Sequence, residues 1–159
     1  PPLQADLLIN TDNGKVPLSI INIHMKCCDS GLQRRKNAVN MLHDYVDKTF
    51  ESQPNIILLG DWNDDTKDEP GQHSFDAFFN DDRFHFVTSG ISYDLNQASY
   101  PKEPWVSFLD HIAVSNDLVE RGSNYHVQTI KMGDYMDGYK NYDTYISDHL
   151  PVLLSFPRP

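Results

Sequence analysis

Apolar residues along this chain fall in short runs broken by clusters of Gly, Pro, Asn and Asp, which is the signature of strands joined by turns. Leu3 to Asn10 and Val16 to Met25 flank Thr11-Asp12-Asn13-Gly14 and predict two strands joined by an Asn-Gly hairpin turn. In the second strand, period-two alternation puts Asn22 and His24 on one face and Ile21, Ile23 and Met25 on the other. Asn55-Ile-Ile-Leu-Leu-Gly60 shows no alternation. Its apolar β-formers lie between Pro54 and Gly60 and predict a central strand buried on both faces. Between these strands the period becomes helical: Ala38, Val39, Leu42, Tyr45, Val46 and Phe50 form the apolar stripe of a helix capped by Ser30, with Arg34, Arg35 and Lys36 on a solvated face.

The second half repeats shorter elements. Residues 74–81 predict a short helix presenting Phe75, Phe78 and Phe79. Residues 83–88, 106–115 and 125–132 predict strands, with a helical turn over 116–121. Tyr135, Tyr139, Tyr142 and Tyr145 are interleaved with acids in a Gly-containing stretch and predict a long loop before a last strand within 146–156. His43 reads as structural, and His73 and His85 carry no functional signal.

Length and composition fit one folded domain: 159 residues, 39% of them hydrophobic. No apolar run approaches the length of a membrane span, and no charged-then-apolar leader opens the sequence. A formal net charge of −10 argues against a large basic surface for nucleic acid. It leaves phosphate substrates open, because carboxylates that hold a divalent cation bring positive charge to a phosphate. Cys27 and Cys28 are adjacent and cannot staple distant segments. The sequence starts Pro-Pro-Leu, so we expect processing or a start inside a longer polypeptide, and an exported enzyme, extracellular or periplasmic, fits that start.

Candidate chemistry concentrates where strands end. Asp61 and Asn63 leave the central strand two residues apart, which lets an oxygen ligand and an amide donor converge on one charged atom. The run from Asp61 to Glu69 imitates a calcium loop, but Thr66 and Gln72 stand where Gly and a bidentate Glu are required. Asp110 is embedded among Phe108, Leu109, Ile112 and Val114, and a carboxylate there costs several kcal/mol unless a cation or donor meets it.

Four segments stand in a fixed order: Asn22-Ile-His24, Gly60-Asp61-Trp62-Asn63, Leu109-Asp110-His111-Ile112, and Ser147-Asp148-His149-Leu-Pro-Val152. As an ordered set they resemble the second half of the endonuclease/exonuclease/phosphatase superfamily, the deoxyribonuclease-I-like metal-dependent phosphoesterases. The resemblance covers essentially the whole chain, with Pro1-Pro2 similar to the end of the family's Arg-x-Pro segment. It implies an α/β (α+β) fold, part of a four-layer sandwich with a mostly antiparallel sheet flanked by helices. Residues 1–159 would be the C-terminal half of that domain.

By matched position, Asp61 and Asn63 resemble the pair that places the attacking water and the scissile phosphate, with Trp62 in place of the commoner Phe. His149 resembles the general base or phosphate ligand, Asp110 the carboxylate that orients it, and His24 the histidine that contacts the phosphate. Asp148, together with Asp61, resembles the metal ligands, and Asn22, Lys26, Trp105 and Ser147 are the expected substrate contacts. The implied cofactor is Mg2+, with Mn2+ or Ca2+ as alternatives. The implied substrate is a phosphate ester: nucleic acid, a phospholipid head group or a small phosphodiester. The family's Asn and metal-binding Glu from the first half have no counterpart before Asn22, so the implied partner is the missing N-terminal half of the same domain. The alternative reading is a non-catalytic fragment or binding relic. The sharpest geometric expectation is a hydrogen bond between Asp110 and His149.

Overall fold

The computed structural model describes residues 2–12, 14–121 and 124–156, apart from the side chains of Glu120 and Arg121. Asn13 of the expected turn and Pro1 lie outside the described residues. Strands β1 (Leu3–Thr11) and β2 (Gly14–His24) pair antiparallel from Leu3↔Asn22 to Thr11↔Gly14. Helix α1 (Leu32–Phe50) then returns the chain so that β3 (Ile56–Asp61) lies parallel to β2. After α2 (Asp76–Phe79) and β4 (Phe84–Phe86), strand β5 (Asp110–Ser115) inserts between β3 and β4, antiparallel to both. The sheet order is therefore β1-β2-β3-β5-β4. Helix α3 (Asn116–Arg121) leads to a separate two-stranded ribbon of β6 (His126–Thr129) and β7 (Val152–Ser155), with α4 (Tyr139–Tyr145) between them.

The central strand is buried on both faces, as its unbroken apolar run requires. Ile56 and Leu58 pack with Val39, Leu42 and Val46 of α1 and with Trp62, Phe75 and Phe78. Ile57 and Leu59 point the other way, against Ile112, Val114, Val152 and Leu154. The ribbon thus forms a second, small sheet over the face of the main sheet opposite α1. Trp62 is fully buried, and its Nε1 donates to the His111 carbonyl at 3.1 Å, so the larger ring gains a partner that a Phe could not use.

Several local expectations are corrected. Ser30 does not cap α1: the chain enters through a 3-10 turn, Asp29–Gly31, and the first helical boundary residue is Gly31, with no side-chain capping bond. Tyr45 is 45% exposed and Phe79 42% exposed, so neither belongs to the core. Arg35, expected on a solvated face, is 4% exposed and takes a place in the buried stripe. The tyrosine segment is a 3-10 turn (Met132–Tyr135) followed by α4, because Tyr142 is buried and anchors a helical turn. Strand β5 starts at Asp110 and not at Val106, since Tyr100 and Ser107 pair with each other instead of with the sheet. Among the described residues no helix is long and apolar enough to cross a membrane.

Candidate active site

Strand register builds most of the site. His24 pairs with Asp61 across β2–β3, and Asp61 pairs with Asp110 across β3–β5. Directly paired residues project to the same face of a sheet, so three side chains from three strands form a row at one sheet end. That row lies on the Ile57–Leu59 face, the one the ribbon covers. The segment entering β7 brings His149 onto it, with His149 Nδ1 2.7 Å from Asp110 Oδ2. This is the contact expected from the sequence.

Backbone anchors fix the segment carrying His149. Tyr139 Oη donates to the Asp148 carbonyl at 2.7 Å, Tyr142 Oη to the His149 carbonyl at 3.1 Å, and His149 N to Ser147 Oγ at 3.0 Å. Leu150 N donates to the Ser99 carbonyl, while Ser99 Oγ accepts from Leu109 N and Asp110 N. One fully buried serine therefore ties both halves of the Asp110–His149 pair together. Tyr100 closes the side, its ring centroid 5.2 Å from that of His149.

Asp61 is held by Asn63. Asn63 N donates to Asp61 Oδ1 and Asn63 Nδ2 to Asp61 Oδ2, both at 2.8 Å, and the amide also reaches the Met25 carbonyl. Asn63 has φ +52°, a left-handed conformation that Asn tolerates better than most residues. The preceding Gly60, at φ +126°, is required outright, because a Cβ there would lie 2.1 Å from the Ile23 carbonyl oxygen and 2.6 Å from Asn22 Oδ1.

Electrostatics follow from this crowding. Burial, and then the neighbouring Asp110 carboxylate, push the Asp61 carboxyl above its usual range. The hydrogen bond to Asp110 raises His149 above the ordinary imidazole value, against the opposing effect of burial. His24 is the exposed member, its side chain 77% accessible and its Nε2 3.3 Å from Asp61 Oδ2.

Among the described residues, Asp61, Asp110 and His149 are the acids, histidines and cysteines that offer three ligand atoms within 4.8 Å of one another. Two neighbouring carboxylates suit a hard divalent cation, which would relieve the Asp110 repulsion that adds to burial in raising Asp61. Three ligands fill only part of a Mg2+ shell, and Asp110 and His149 are already bonded to each other. The set therefore fits a cation whose remaining ligands come from water, substrate or another segment.

The row forms part of the wall of a cleft of about 1400 Å³. His24, Asp61, Asn63, Trp105, Asp110, Ser147, Asp148 and His149 all line it. Asp148 stands on the same wall outside the three-ligand group. Asn22 and Lys26 do not line the cleft: Asn22 Oδ1 sits over Gly60, and Lys26 Nζ turns toward Cys27 Sγ at 3.7 Å.

The arrangement also contains groups the sequence pattern did not single out. Arg35 holds Asp64 with two hydrogen bonds and donates to the Lys26 and Cys28 carbonyls, joining the β2–α1 turn to the residue after Asn63. His111 is fully buried, its Nδ1 bonded to Thr88 Oγ1 and its Nε2 to the carbonyls of Asp64 and Phe108. The unusual sequence signal at Arg35 is a cation three positions into a helix start, where the dipole disfavours it.

Structures of known proteins align along 74% to 98% of the chain. D. rerio TDP2, complexed with single-strand DNA product, is 16% identical with a TM-score of 0.62, covering 98% of this chain and 62% of that one. A Bacteroides thetaiotaomicron mannosyl-6-phosphatase is 22% identical with a TM-score of 0.54, covering 91% and 53%. An endonuclease/exonuclease/phosphatase family protein of the same species is 23% identical with a TM-score of 0.50, covering 74% and 40%. This chain has the endonuclease/exonuclease/phosphatase fold. It spans about half the length of the proteins that share that fold with it. No family model and no curated protein matches the sequence. At these identities the endonuclease/exonuclease/phosphatase likeness is one of architecture.

Proposed function

We propose that this chain is the C-terminal half of a metal-dependent phosphoesterase that hydrolyses a phosphate ester by in-line attack of water. The observation that supports it is the convergence of His24, Asp61, Asp110 and His149 in one cleft through strand register. Asp110 fixes the His149 tautomer with the proton on Nδ1, leaving Nε2 to take a proton from the attacking water. Asn63 holds Asp61, and Asp61 with Asp110 presents carboxylate oxygens to a divalent cation, with Asp148 on the same wall. Mg2+, with Mn2+ or Ca2+ as alternatives, supplies positive charge to the phosphate oxygens when bound. His24, exposed beside Asp61, contacts the phosphate and protonates the leaving oxygen, while Trp105 and Ser147 on the cleft wall contact the rest of the substrate. The preceding half of the domain supplies the remaining ligands.

Hydrolysis of bis(4-nitrophenyl) phosphate and 4-nitrophenyl phosphate, with and without Mg2+ or Mn2+, tests this in the protein carrying both halves. We expect metal-dependent turnover, lowered by a factor on the order of 10²–10⁴ in His149→Ala. The absence of metal-dependent turnover on either ester would leave the non-catalytic reading in its place. Metal titration of residues 1–159 alone then asks whether this half binds a cation by itself.

A further inference from the structure

Cys27 and Cys28 are the two cysteines of the chain, and both line the cleft beside His24 and Arg35. The Cys28 thiol donates to Cys27 Sγ across 2.8 Å, and Lys26 Nζ approaches the same sulfur at 3.7 Å. Cys28 is exposed and Cys27 half-buried. The pair therefore buries little apolar surface, and neither sulfur joins the three-ligand group at Asp61, Asp110 and His149.

The backbone here is unusual. Cys28 adopts φ 71° and ψ 163°, a region nearly reserved for glycine and strained for any residue with a side chain. Its carbonyl accepts from Arg35 Nη1 and from Gly31 N, both at 2.8 Å, and Arg35 is buried and paired with Asp64. A buried guanidinium thus holds a strained turn whose exposed product is two thiols in contact.

We propose that Cys27 and Cys28 form a vicinal dithiol site that closes to an intramolecular disulfide by exchange with a small-molecule disulfide. The Cys27 thiolate attacks one sulfur of the small disulfide, forming a mixed disulfide and releasing one small thiolate. Cys28 then gives its proton to solvent and attacks the Cys27 sulfur, releasing the second small thiolate, and both small thiolates take up protons from solvent. Two protein thiols and one small disulfide become one protein disulfide and two small thiols, with no other oxidant. The Cys28 hydrogen bond and the Lys26 ammonium hold the Cys27 thiol below its usual range, favouring it as the first nucleophile.

The closed ring contains the Cys27–Cys28 peptide. Adjacent α-carbons are about 3.8 Å apart, less than the roughly 4.4 Å lower end for ordinary disulfides, so the bond is strained and easily reduced. Its constraint falls on φ of Cys28, the residue whose carbonyl holds Arg35, and Arg35 holds the residue that follows Asn63.

Treatment of the purified chain with glutathione disulfide, then alkylation and intact-mass measurement, tests the site. We expect loss of two hydrogens, no alkylation, a monomer on a non-reducing gel, and two alkylatable thiols again after dithiothreitol. In Cys28→Ser we expect a stable glutathione adduct on Cys27, because the resolving thiol is gone. Wild-type protein that still takes up two alkyl groups, retains a glutathione adduct or links into dimers would overturn the proposal. None of these readouts requires hydrolysis, so the dithiol and the phosphoesterase readings fail separately.

Discussion

Arg35 and Asp64 meet in a buried, two-pronged ion pair, with Nε to Oδ2 at 2.8 Å and Nη2 to Oδ1 at 2.7 Å. Both residues are almost wholly inaccessible, and Asp64 Oδ2 also accepts from Ser74 N. Removing one partner strands a buried charge, which costs roughly 3–5 kcal/mol, whereas removing both costs much less. Arg35→Met should therefore lower the urea midpoint sharply, and Arg35→Met with Asp64→Leu should recover much of the loss. Equal destabilisation in single and double variants would contradict the pairing.

Asp110 is the first cause of the raised His149 pKa. In Asp110→Asn the imidazole loses its carboxylate partner, so its pKa should fall relative to wild type in an NMR titration of the His149 ring. Since a general base works in its neutral form, the acidic limb of the rate profile should move to lower pH while the maximal rate drops, about 10–100-fold on the scale of lost ligand-orienting contacts. An unmoved His149 titration would separate the two residues functionally.

Asp61 should work against stability. Its folded-state pKa is raised, so the folded protein binds its proton more tightly than the unfolded chain, and stability is lost as pH rises through that window. Asp61→Asn removes the charge and can still accept from Asn63 N. In metal-free buffer at neutral pH its Tm should exceed that of wild type, while Mn2+ binding weakens. A lower Tm at neutral pH would count against the electrostatic account.

His111 sets an acid limit. Burial depresses its pKa from 6.5 to about 4, so the unfolded chain takes up a proton between those values that the folded chain refuses. Stability should be unaffected by this group above about pH 6.5 and fall by on the order of 3 kcal/mol as pH approaches 4. Urea titrations across that range should show the decline, and a smaller one in His111→Gln. Identical slopes in the two proteins would assign the acid sensitivity elsewhere.

Residue types and spacing already determined the central strand at Ile56–Asp61, the helix ending at Phe50 and the acids and histidines of the four segments, because two-fold and 3.6-fold apolar periods and strand-end turns are local properties. The need of Asp110 for a partner was likewise readable from its apolar neighbours, and the resemblance supplied His149. Only the tertiary structure decided that β5 enters beside β3 in the register that sets Asp61 against Asp110, and that Ser99 binds both Asp110 and the segment after His149. It also turned Arg35 inward, against the expected solvated face, and folded the tyrosine segment into α4. The strand register, the inward turn of Arg35 and the tie to Leu150 depend on partners 29 to 51 positions away, such as Asp64 for Arg35 and Ser99 for Leu150, and long-range pairing is not written in any local period.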